Sequence, residues 1–114
     1  IEGRAEKIIY NEYIHAGVML RRALDLRAKN NVLIAEFMGV KSYEASGYTN
    51  FLYSEDNHRT EVDLAYHDSW DWLMPVIDKC YQEHMSKHIA DAVMTCDIEV
   101  VYDRVVEFIK ELNK

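Results

Sequence analysis

The stretch Tyr66-His67-Asp68-Ser69-Trp70-Asp71-Trp72-Leu73-Met74-Pro75-Val76-Ile77 constrains the fold most, because it holds both tryptophans, the only proline and a helix start. Asp68 or Ser69 can accept a hydrogen bond from the free amides of a first turn, and Asp71 puts negative charge near the positive end of the helix dipole. Leu73, Ile77, Cys80 and Tyr81 then recur at helical spacing, with Trp70 one turn earlier, giving an apolar face that must be buried. Large aromatic side chains dominate core energetics, so the two indoles are expected to anchor the core. Pro75 lies beyond the first turn and leaves the Asp71 carbonyl without its amide, which predicts a kink or a tight 3₁₀ first turn.

Before this stretch the chain changes period. Residues 5–29 hold no proline, and Ile9, Tyr13, Ala16, Leu20, Ala23 and Leu24 recur at helical spacing, predicting an amphipathic helix that stops at Asn30-Asn31. Ile1-Glu2-Gly3-Arg4 reads as a factor Xa cleavage site left by an expression vector. Val32–Met38 is expected as a second short helix, closed by a left-handed Gly39. Residues 40–43, 48–53 and 61–66 read as strands of an antiparallel meander, with turns at 45–47 and 54–58. In the third, Val62, Leu64 and Tyr66 face one way and Glu61 and Asp63 the other. Residues 89–94 alternate enough for a fourth strand, although a helix stays open there. Thr95 or Asp97 then caps a final helix with a Val101, Val105, Phe108, Leu112 stripe. The expected fold is α+β: a small antiparallel sheet of three to four strands packed with helices, in the order α-α-β-β-β-α-β-α, residues 30–114 forming one domain after the 5–29 helix.

Charge is uneven along this frame. Residues 1–29 carry six Lys/Arg against four Asp/Glu, a net of +2, whereas residues 30–114 carry seven against sixteen, a net of −9. An acidic body disfavours phosphate backbones, so direct nucleic-acid binding is not expected, and it favours basic partners. No apolar run is long enough for a membrane span. Two cysteines without paired spacing and no recognisable secretory leader lead to the expectation of a reducing cytoplasm, that of a host cell.

Several clusters could carry chemistry. Cys80, His84 and His88 fall at i, i+4 and i+8, so an unbroken helix would stack three soft-metal ligands; Cys80 equally belongs to the apolar stripe. Glu61, Asp63, His67, Asp68 and Asp71 could hold Mg²⁺ or supply a histidine base, although Asp68 and Asp71 are already explained by capping. Neither cluster has the partner nucleophile or spacing of a defined enzyme, the four glycines fit no phosphate-binding loop, and no catalytic residue, metal or cofactor is assigned. Arg21, Arg22 and Arg27 could pair with phosphates.

Val32 to Gly39, Ser69 to Val76 and Val101 to Lys110 resemble the landmarks of small proteins encoded by Bacteroides-type phages and prophages, with spacing similar to the phage alpha-beta-alpha sandwich domain. The resemblance covers roughly residues 31–113, leaves out the segment before Val32 and breaks down from Gln82 to Cys96. It implies phage origin and a small helix-sheet-helix domain, with no catalytic residues to carry over. The function expected is that of a small acidic phage-type binding protein, an inhibitor of a host defence protein. Glu55, Asp56, Glu61, Asp63, Tyr48 and Tyr53 would dock on a basic site of that host protein. The alternatives are an oligomeric sponge that sequesters a nucleotide signal through Arg21, Arg22 and Arg27, and a metal-dependent enzyme. The stripe of residues 5–29 is expected to pair two chains as a homodimer or to pack within the monomer.

Overall fold

The computed structural model describes residues 2–114, with side chains described from residue 16 onward. The fold is α+β. Helix α1 (Glu2–Phe37) leads into strands β1 (Lys41–Ala45), β2 (Tyr48–Ser54) and β3 (Asn57–Thr60), a 3₁₀ turn (Glu61–Asp63), and helices α2 (Trp70–Glu83), α3 (Lys87–Val93) and α4 (Ile98–Leu112). The strands form an antiparallel sheet in the order β1-β2-β3. Residues 1–4, read as a cleavage site, and the Ile9 and Tyr13 positions of the stripe lie outside the described side chains.

Helix α1 does not stop at Asn30-Asn31, and the two helices expected there are one. Asn31 is 2% exposed, and its side chain makes long-range bonds instead of capping a helix. Its Nδ2 donates to the Leu64 carbonyl (3.2 Å) and to His67 Nδ1 (3.1 Å), while its Oδ1 accepts the Tyr102 hydroxyl (2.9 Å). An amide nitrogen only donates, so His67 Nδ1 accepts and its Nε2 carries the proton, 3.5 Å from Asp68 Oδ2. The helix ends where Gly39 (φ +73) reverses the chain: the Gly39 amide donates to the Glu36 carbonyl and that of Val40 to Ala35. Lys79 donates to the Phe37 carbonyl and lies over the Phe37 ring.

Ser46 and Gly47 both have positive φ between paired Ala45 and Tyr48, the two-residue turn whose twist matches that of the flanking strands. Of the strand residues only Phe51 is buried, so the sheet is attached at the edge of the molecule. The strand expected at 61–66 is not formed. Thr60 Oγ1 donates to the Asp63 carboxylate (2.8 Å) and Arg59 to the Asp63 carbonyl (3.2 Å), which wraps the chain into the 3₁₀ turn. Val62 is thereby left 80% exposed while Leu64 and Tyr66 enter the core.

The core is helical. Leu73, Val76, Ile77 and Cys80 of α2, Ile89 and Ala92 of α3, and Val101, Tyr102, Val105, Val106 and Ile109 of α4 pack with Ile34 and Ala35 of α1. Helix α4 touches the other three helices. Residues 89–93 belong to a helix and Met94 caps it, so no fourth strand forms: Ser86 caps its start by accepting from the Ile89 amide, and burial at Ile89 and Ala92 has a spacing of three. Asp97 caps α4 as expected, accepting from the Glu99 amide, but Leu112 falls off the buried face. Helix α2 starts after Ser69, whose carbonyl takes the amides of both Trp72 (3.1 Å) and Leu73 (3.0 Å), and runs through Pro75. Neither Ser69 nor Asp68 caps it through a side chain.

Replacing Asn31 by the similarly sized Leu would take the donor from the Leu64 carbonyl and His67 Nδ1 and leave the Tyr102 hydroxyl only its longer bond to the Arg27 carbonyl (3.4 Å). We expect Asn31→Leu to lose about 2–3 kcal/mol, read as a lower urea midpoint at unchanged slope. An unaltered midpoint would refute the role of this amide in fixing α1.

Candidate functional site

The structure separates most residues that the sequence grouped. Cys80 is buried in α2, His84 follows the last residue of that helix in extended conformation, and His88 lies on α3, so the three do not stack on one helix. Burial pushes the Cys80 thiol up to about 11, against the thiolate that metal binding needs. In the acidic cluster, the Asp63 carboxylate accepts the Thr60 hydroxyl, His67 bonds to Asn31, and Asp71 faces elsewhere. Among the described residues, no three His, Cys, Asp or Glu side chains come together as a metal site.

The six expected docking residues do not form one patch. Glu55 and Asp56 sit at the β2–β3 turn, whereas Tyr48 and Glu61 line a common hollow at the opposite end of the sheet, roughly 20 Å away along β2. Tyr53 turns inward. The three arginines diverge as well: around the helix, Arg22 lies about 100° and Arg27 about 240° from Arg21. Arg27 faces the body, its guanidinium 5.9 Å from the Tyr102 ring centre.

Two surfaces are assembled instead. The first continues the buried face of α1. Leu20, Leu24, Asn31 and Ala35 share one side of the helix within about 60°, yet the body covers only Asn31 and Ala35. Leu20 is 62% exposed and Leu24 61%, and Leu24, Ala28 and Val62 border a hollow of about 220 Å³ with Arg27, Glu61 and His67.

The second is a pocket of about 370 Å³ between the sheet and α2, with Met38, Val40 and Pro75 supplying its apolar wall. Trp72 lies at its centre, its ring 5.0 Å from that of Tyr53 and 5.1 Å from that of Tyr66. The Arg59 guanidinium stacks 4.7 Å from the Trp72 ring centre. Arg59 Nε donates to Asn57 (3.0 Å), and no carboxylate among the described residues pairs with this cation. A β-bulge on β2 between Leu52 and Ser54 falls at Tyr53, where such bulges re-aim a side chain. The Tyr53 and Tyr66 hydroxyls are 2.8 Å apart, and burial raises both phenols above their ordinary range, keeping them protonated. Of the two indoles, Trp72 is the partly buried anchor, while Trp70 is 36% exposed. Tyr53 and Tyr66 were visible in the sequence as strand tyrosines, but the bulge and the stacking of Arg59 carry no local signal.

The two cysteines test this placement. Cys96 is exposed, so a thiol reagent should modify one thiol of the native protein promptly at neutral pH and reach Cys80 only on unfolding. Two equally fast thiols would contradict the buried position of Cys80. Comparison with family models, curated proteins and solved structures finds no match to this chain.

Proposed function

We propose that this protein acts by docking onto a basic partner protein through the uncovered side of α1 and the neighbouring 3₁₀ turn. The observation that carries the reading is the group of Leu20, Leu24 and Val62, each more than 60% exposed, the two leucines continuing the buried face of α1 and Val62 beside Leu24 on the 3₁₀ turn. An apolar stripe in this position gains by being covered. Glu61 lines the hollow beside Leu24 and Val62, so a complementary surface presents apolar side chains with a Lys or Arg opposite Glu61. The resemblance to phage-encoded proteins supports a host defence protein as the target and inhibition by occlusion as the effect. Arg21, Arg22 and Arg27 diverge around α1, so the sponge reading would need phosphate contacts from more than one chain, and no helix among the described residues is long and apolar enough to cross a membrane.

A second copy of the chain also meets this description, which favours the homodimer as a second reading. Residues 16–29 carry Arg21, Arg22, Arg27 and Lys29 against Asp25 alone, so antiparallel pairing of α1 brings a basic apolar helix to an acidic body.

Light scattering over a concentration series, with a Leu20→Glu/Leu24→Glu double variant, separates the readings. Self-pairing gives a dimer that the double variant abolishes; a full chain that stays monomeric throughout removes the homodimer. For the first reading, a fluorescent basic amphipathic peptide should bind the chain, lose at least about tenfold in affinity on Glu61→Lys/Asp63→Lys, and weaken as salt rises. Affinity indifferent to both salt and charge reversal would overturn it.

A further inference from the structure

The pocket around Trp72 shares no residue with the docking face. Its polar groups are unusual for a chain of net charge −7: a stacked arginine without a carboxylate partner, in the wall of a ligand-sized hollow. Sites for small molecules are typically about 300–1,000 Å³, mostly apolar, with a few polar groups that set orientation. This one has that make-up.

We propose that this pocket binds a small aromatic carboxylate. Arg59 supplies the charge: stacking on Trp72 and bonds to Asn57 and to the Asp63 carbonyl hold the guanidinium in one orientation, with N–H groups to spare for an anion. The tyrosine pair supplies a neutral donor. One hydroxyl donates to the other, leaving one proton between them to give to a ligand oxygen. The flat ring of the ligand lies against the wall of Met38, Val40, Trp72 and Pro75. Asp71 on the rim sets the charge of the ligand. Opposite one arginine and beside one carboxylate, a monoanion is compensated, whereas a phosphate dianion adds a charge that only Asp71 meets, with repulsion.

The test uses the full chain carrying Trp70→Phe, so that Trp72 is the only indole, and follows its fluorescence during titration with benzoate. Benzyl alcohol, benzylamine and phenyl phosphate serve as neutral, cationic and dianionic comparators. The expected result is saturable binding of benzoate, at least about tenfold tighter than benzyl alcohol, with benzylamine and phenyl phosphate weaker than benzoate. Arg59→Gln should erase the preference over the alcohol, and Asp71→Asn should tighten benzoate severalfold. Absence of saturable binding, equal affinity for benzoate and benzyl alcohol, or preference retained in Arg59→Gln overturns the proposal. Tighter binding of phenyl phosphate than of benzoate overturns the carboxylate assignment. Should Arg59→Gln fail to fold by circular dichroism, Asp71→Asn decides, and benzoate affinity unchanged by that substitution counts against the site.

Discussion

One buried amide ties the fold together. Asn31 sits where α1 crosses the body, and its two donated bonds and one accepted bond reach the segment after the 3₁₀ turn and the middle of α4. An amide removed from water costs several kcal/mol unless its groups find partners, so this arrangement is specified by satisfaction as much as by contact area. No buried side-chain nitrogen or oxygen among the described residues lacks a partner. The register of α1 along the body follows: a shift of one residue would carry the amide out of reach of Tyr102, Leu64 and His67 together.

Fixing α1 at its C-terminal third has a cost that becomes an opportunity. The molecule is 63 Å in its longest dimension and 27 Å in its shortest, and every residue of α1 from 16 to 27 is exposed. The same helix face is core at Ile34 and Ala35 and surface at Leu20 and Leu24. The sheet, held by Phe51 and by the 3₁₀ turn, similarly gives little to the core and much to the surface. What it does give is a roof over α2, where Tyr53 and Arg59 meet Trp72.

Much of this was legible along the chain. The 3.6-residue period identified helix at 5–29 and in the final segment, Gly39 the closure of the helix before the sheet, though as a separate second helix, and Asp97 the cap of α4, because each signal is local. The alternation at 61–66 misled, since the bond between the Thr60 and Asp63 side chains and that from Arg59 to the Asp63 carbonyl compete with strand pairing, which periodicity does not weigh. Asn30-Asn31 misled for the opposite reason: asparagine is a stop signal only when its side chain bonds locally, and Asn31 finds its partners 33 to 71 residues away.

The sequence alone determined the α+β class, the acidic body behind a basic helix, and the apolar faces that had to be buried, all properties of neighbours within a few residues. Only tertiary structure decided which part of the α1 stripe would be covered, which tryptophan would pack inward, and that Arg59 would lie on Trp72 beside a tyrosine pair. These depend on which distant groups satisfy one another once water is excluded, and no spacing along the chain encodes that.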